Sequence, residues 1–173
     1  DGSWKGLAEW QREMPAHYAA ARRMLGVTEN RILGDADHLL KRAADSQGCG
    51  ETFYRTDVAV YFGDAPGVAH PDPYFGGEGP PRSSCTGCGG CMVGCRFGAK
   101  NTLDKNYLYF AEKRGLVLHA DTEVTWVRPL PEGGYEVEAL EGTSRFSRRK
   151  RRFTARHVIF SGGVLGTVDL LLQ

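Results

Sequence analysis

Four of the five cysteines stand close together, as Cys85-Thr-Gly-Cys88-Gly-Gly-Cys91-Met-Val-Gly-Cys95. The spacing C-x2-C-x2-C-x3-C lets four thiols converge on one centre if the loop wraps around it. Gly87, Gly89, Gly90 and Gly94 permit that wrapping, because glycine tolerates positive φ and lets amides approach the sulfurs. This is the compact spacing of bacterial iron–sulfur ligation. Structural zinc usually takes two pairs separated by a longer insert. Disulfides need an oxidising compartment, and no export signal is visible, so a cytoplasmic setting is expected. The residues leave three states open: an iron–sulfur cluster of the 4Fe-4S kind, zinc, or no metal. In two-cluster ferredoxins the fourth cysteine serves the other cluster and a proline follows it. Here Arg96 follows, and there is no second run. Cys49, in Gly48-Cys-Gly50, reads either as a distant ligand or as a small buried or free thiol.

The rest of the chain is ordinary globular chemistry. Its 173 residues are 41% hydrophobic and 25% charged, which excludes a disordered tail. Lys+Arg number 22 and Asp+Glu 21, so there is no global pull toward nucleic acid or anionic membrane. No apolar run approaches the ~18–20 residues of a transmembrane segment. The balance hides one asymmetry. Arg145 to Arg156 reads RFSRRKRRFTAR, with seven basic residues and no acid, leaving 15 basic against 21 acidic residues elsewhere. Such a run is either a patch for nucleic acid or a solvated hairpin with Phe146 and Phe153 facing in. The hairpin is favoured, and no nucleic-acid partner is expected, because no stacking module or recognition helix accompanies the run.

Local patterns predict a helical section, 1–50. Trp4, Leu7, Trp10, Met14, Tyr18, Ala21 and Leu25 step by three or four, with Pro15 starting a second helix or kinking the first. Gly26 is the expected C-terminal cap, and Asp35 the cap of a short helix ending before Gly48. A strand over 56–62, a Gly/Pro-rich stretch without regular structure over 63–84 and the cysteine loop make up 51–100. The third section, 101–173, holds a helix over 101–114 ended by Gly115. Strands follow at 116–118, 123–127, 135–139 and 156–160. The last strand runs into Ser161-Gly162-Gly163 and a new helix. A strand, a glycine turn and a helix start let backbone approach a bound cofactor, and helix N-terminal amides favour anionic groups. The usual G-x-G-x-x-G fingerprint is absent from this chain. The first residue is Asp, and the last stretch reads as a helix cut after its first turns. An internal piece of a longer protein is therefore expected.

The order of these features resembles bacterial FAD-dependent oxidoreductases of the glucose–methanol–choline (GMC) family, in the branch near cholesterol oxidase. The residues that carry it are Cys85 to Cys95, Gly98-Ala-Lys-Asn-Thr-Leu-Asp-Lys-Asn-Tyr-Leu108, Thr122-Glu-Val124, Gly133-Gly-Tyr135 and Phe160-Ser-Gly-Gly-Val-Leu-Gly-Thr-Val-Asp-Leu-Leu-Leu172. The resemblance covers about 51–173. It implies an α/β (mixed α+β) fold, the incomplete central part of a GMC-type FAD-binding fold, with 51–100 on the substrate-domain side and 101–173 in the FAD-binding domain. It places Val124 beside the adenine, held by backbone hydrogen bonds, and Ser161, Gly162 and Gly163 close to the FAD. The family's first FAD fingerprint precedes this segment, and its catalytic histidine follows it. No catalytic residue is therefore expected here, and His17, His38, His70, His119 and His157 read as surface or packing residues. The implied parent oxidises a CH–OH group of a small-molecule alcohol, sterol-like or other, by hydride transfer to flavin. If Cys85, Cys88, Cys91 and Cys95 hold an iron–sulfur cluster, it offers an exit for electrons toward an acceptor protein. A stand-alone iron–sulfur protein and a zinc-stapled binding module are the competing readings.

Overall fold

A computed structural model describes residues 3–144 and 146–172. Arg145 of the basic run and Gln173, at the end of the expected final helix, lie outside the described residues. The chain divides into two units, Asp1–Leu116 and Val117–Gln173.

In the first unit, α1 spans Trp10–Met24. It starts later than the periodicity suggests, because the Trp4 carbonyl closes a turn by accepting from Leu7 N (3.1 Å) and the Trp10 indole (2.8 Å). Pro15 lies inside this single helix and starts no second one. It forfeits one hydrogen bond, to the Gln11 carbonyl, and the remaining turns carry it. Gly26 (φ +54°) ends the helix as expected: Val27 N donates to Arg22 O (2.9 Å) and Gly26 N to Arg23 O (3.1 Å). No other residue fits, since a Cβ there would lie 2.5 Å from the Tyr74 ring and 2.7 Å from the Asn101 amide. Helix α2 spans Asp35–Ser46, but its cap is not Asp35. Gly34 is the cap position, and Asp37 turns back to accept from Gly34 N at 2.8 Å.

The expected strand over 56–62 shortens to β2, Asp57–Val58, paired antiparallel with β1, Thr28–Glu29. One further bridge joins Val60 to Lys100. The stretch 63–84 is more ordered than its composition suggests. It contains a two-stranded ribbon of β3, Ala69–His70, and β4, Arg82–Ser83. Between them the Asp72 carboxylate accepts from the amides of Tyr74, Phe75, Gly77 and Gly79. A single side chain thus replaces the missing ladder. The expected 101–114 helix breaks at Asn106 into a 3-10 turn, Leu103–Lys105, and α3, Tyr107–Lys113. Phe110 on α3 stacks edge-on against Phe75, centroids 4.9 Å apart.

The second unit is a meander ordered β5-β6-β7, of Thr122–Pro129, Tyr135–Glu141 and Arg149–Ala155, followed by α4, Gly163–Leu171. Gly133 (φ +95°) and Gly134 (φ +82°) turn β5 into β6. The pairing register slips between Val124 and Trp126, a bulge in β5. The expected strands at 116–118 and 156–160 do not form. Neither segment joins a ladder among the described residues. All three sheets are small and antiparallel, so the fold is mixed α and β, as expected. Among the described residues no helix is long and apolar enough to cross a membrane.

Candidate functional site

Two places gather the residues singled out in the sequence. The first lies within the meander unit. A cleft of about 390 Å³ is lined by Val124, Val127 and Val137 on the sheet side and by Val158, Phe160, Ser161 and Gly162 opposite, with Gly166 and Asp169 from α4. Val124, Ser161 and Gly162, separated by more than thirty residues in sequence, share this cleft. Gly163 opens α4 at φ +73°, and a Cβ there would meet nothing. Because β5 is an edge strand, its outer side presents backbone donors and acceptors free of the ladder. An adenine ring needs one donor and one acceptor at fixed spacing, and a strand edge supplies both without a side chain. Across the cleft, Gly162 caps α4, whose first amides point away from the helix. The chemistry of this donor set fits a dinucleotide cofactor such as FAD: apolar walls, a backbone edge, and a side-chain-free turn at a helix start. No histidine lines the cleft.

The second place is the cysteine loop in the first unit. Cys85, Cys88, Cys91 and Cys95 line one small cavity with Val60, Phe97 and Ala99. Among the described residues no three His, Cys, Asp or Glu side chains come together as a metal-ion site, whether for zinc or for iron. All five cysteines are free thiols. Cys49 lies elsewhere, its thiol turned to the Ala44 carbonyl at 3.5 Å beyond the end of α2, so it is no distant ligand of this cavity. Backbone amides face the sulfurs. Gly87 N donates to Cys85 Sγ at 3.4 Å. The amide of Gly90, then the Thr86 hydroxyl, holds the Cys88 thiol below its ordinary pKa. Burial alone pushes the Cys95 thiol up, but the amides of Lys100, Ala99, Phe97 and Gly98 outweigh it, and its pKa falls.

Sequence reasoning passed over the polar group that supports this loop. Arg82 is 2% exposed. It donates to Asn101 Oδ1 (2.6 Å), Pro80 O (2.6 Å) and Lys105 O (2.8 Å), and its guanidinium lies 5.6 Å from the Tyr74 ring. Asn106, wholly buried, accepts from Tyr107 N at 2.6 Å. The only signal in the sequence was the place of Asn101 and Asn106 in the Gly98–Leu108 stretch, which Arg82 lies outside. The basic run meets acids of its own sheet. Arg148 pairs with Glu123, Arg151 with Glu141, and Arg152 with Glu136 and Glu138. Phe153 packs on His119, but Phe146 is 98% exposed and does not face in as expected. A groove of about 820 Å³ along α1, lined by Trp4, Trp10, Met14 and Tyr18, contains none of the sequence motifs.

Comparison with known proteins covers both places. The chain is 50% identical over 181 residues to a cholesterol oxidase of Acinetobacter baumannii. It is 43% identical over 177 residues to cholesterol oxidases of two Mycobacterium tuberculosis strains. In each case all of this chain is covered, but only 33% and 31% of the relatives, so it spans about a third of their length. No solved structure matches the chain. The family described as GMC oxidoreductase matches residues 81–173, just over half the chain and including both the cysteine loop and the cleft. This chain belongs to the GMC oxidoreductase family.

Proposed function

We propose that this chain is the central part of a flavin-dependent oxidoreductase that oxidises a CH–OH group of a small alcohol, sterol-like as the names of its relatives suggest. The observation that carries the reading is the meeting of the β5 edge at Val124 with the Ser161–Gly162 turn across one cleft. When bound, FAD supplies a hydride acceptor for the alcohol carbon. The part of this chain is to hold and orient. Val124 offers main-chain groups to the adenine, the Ser161–Gly163 turn admits close backbone approach, and the start of α4 favours an anionic group. The valines and Phe160 keep water from the ring system. No histidine lines this cleft, and the base that takes the hydroxyl proton is assigned to another part of the protein, as the family resemblance implies. An acceptor for the electrons, oxygen or a protein, completes the turnover.

The test uses the full-length protein. It should purify yellow, and its flavin should bleach under anaerobic addition of a sterol alcohol. Gly162→Leu fills the cleft and should lower flavin retention about tenfold or more, a change of about 1.4 kcal/mol or greater, with the far-UV circular dichroism unchanged. A colourless protein, or full flavin retention in Gly162→Leu, overturns the reading. The iron–sulfur expectation concerns other residues and does not depend on this outcome.

A further inference from the structure

The cysteine loop is held at both ends by the same residue. Cys85 N donates to Tyr61 O at 2.9 Å, and Tyr61 N donates to Ala99 O at 2.8 Å. Val60 bridges to Lys100, and Asn101 N donates to Ala59 O at 2.8 Å. Entry and exit of the loop therefore flank one segment, residues 59–61, and the cysteines between them bend back over a single cavity. Arg82 stiffens this base, since it ties the 80–81 carbonyls to Asn101 and Lys105. The Lys100 ammonium reaches into the loop to the Cys91 carbonyl at 2.9 Å.

Three further facts narrow what the loop surrounds. The backbone turns an amide onto sulfur at the entry of the loop, where Gly87 N donates to Cys85 Sγ at 3.4 Å. Successive amides around a concavity form a nest that favours anionic groups, iron–sulfur centres among them. Gly87, Gly89, Gly94 and Gly98 all lie at positive φ, the conformation that turns amides inward. Next, no acidic residue occurs between Glu78 and Asp104, whereas Arg82, Arg96 and Lys100 do. A site for a hard dication would use carboxylates; a site for a group with anionic sulfur uses amides and cations instead. Lastly, all four cysteines line one cavity, and none of them is paired in a disulfide. A mononuclear ion needs its ligands at a single atom. In a cluster each thiolate binds a different iron, so the sulfurs stand around the group.

We infer that Cys85, Cys88, Cys91 and Cys95 together ligate one four-iron, four-sulfide cluster. With no second run in the chain, the fourth cysteine closes the same cluster as the other three. The open space is small, about 20 Å³, near the size of one water. The rim must therefore move outward to admit the group, and it is built to do so: Cys88 is exposed, and a Cβ at Gly89 or Gly94 would meet nothing. Val60, Phe97 and Ala99 form an apolar floor that keeps water from the cluster's inner side.

The proposal goes beyond the flavin reading and can fail without it. The experiment is iron, acid-labile sulfide and zinc analysis of the full-length protein, prepared anaerobically and reconstituted with ferrous iron and sulfide, with flavin measured on the same sample. About four irons and four sulfides per chain are expected. Cys88→Ser/Cys91→Ser should lower bound iron about tenfold or more, and Cys49→Ser should leave it unchanged. If the double variant does not fold, the wild-type stoichiometry and its electron paramagnetic resonance signal after dithionite reduction decide alone. Zinc without sulfide, no metal in the reconstituted wild type, or a full iron complement in the folded double variant overturns the proposal. Flavin loss in the wild type would instead strike the flavin reading.

Discussion

Arg82 takes a charge into the interior of the first unit without an acid beside it in hydrogen-bond contact; carbonyls and the Asn101 amide oxygen receive its donors. Burial lowers its pKa, and the Tyr74 hydroxyl and the Asp72 and Asp104 carboxylates work against that. Lysine has the charge but not the planar fork, so Arg82→Lys should leave carbonyls unpaired and cost about 2–4 kcal/mol, read as a fall in the urea midpoint. Asp72 acts at the same scale in the opposite sense. Burial raises its pKa, but the amides of Tyr74, Gly79, Gly77 and Phe75 prevail and hold it below the ordinary carboxylate value. A carboxyl depressed in the folded state stabilises above its unfolded pKa, and this contribution is lost as pH falls through the folded value. Asp72→Asn should therefore lower the thermal midpoint at pH 7, by about 1–2 kcal/mol of stability. The gap between variant and parent should close as pH drops below about 4.

The meander shows how an element can be legible while its surroundings are not. Tyr135, Val137 and Ala139 alternate with glutamates, and β6 forms over Tyr135–Glu141 accordingly. Its glutamates then find the arginines of the basic run across the sheet: Glu136 pairs with Arg128 and Arg152. That run is a charge ladder within one sheet. Ion pairs of this kind contribute little each, so Glu136→Gln should cost about 0.5–1 kcal/mol at low ionic strength, with the difference shrinking in 1 M salt. Turn geometry matters more. A Cβ on Gly134, at φ +82°, would lie 2.7 Å from the Ala155 carbonyl oxygen. Gly134→Ala should therefore destabilise the meander by about 1–3 kcal/mol, seen as a lower melting temperature. No comparable effect is expected at Gly6, which has open space and no positive φ.

Across the whole chain, apolar residues outnumber the places that cover them. Fully buried apolar side chains among the described residues are Val60, Ala99 and Ala139, all small. Ile159, Val164, Leu165 and Leu172, at and around α4, are 80% or more exposed. Exposed apolar surface gathered on one segment marks a missing contact surface. The expected outcome is that the 173-residue segment, expressed by itself, binds an apolar dye strongly and unfolds over a broad range. The full-length protein should bind little dye and unfold cooperatively. Cooperative melting of the segment without dye binding would show that its core is sufficient.

Local chemistry written into the sequence was enough for the cap at Gly26, the glycine turn at 133–134, the β6 alternation and the glycine turn that opens α4. Each depends on neighbours a few residues away and on φ preferences that glycine alone satisfies. The family could be recognised too, because its motifs are contiguous. Tertiary structure alone decided the rest. It brought Val124 to Ser161 and Gly162. It closed both ends of the cysteine loop on Tyr61. It buried Arg82 beneath Asn101, and it ordered a Gly/Pro-rich stretch around the one carboxylate of Asp72. These are long-range or many-to-one hydrogen bonds. No periodicity records them, since the energy that selects a partner far along the chain appears only when the intervening segments have folded.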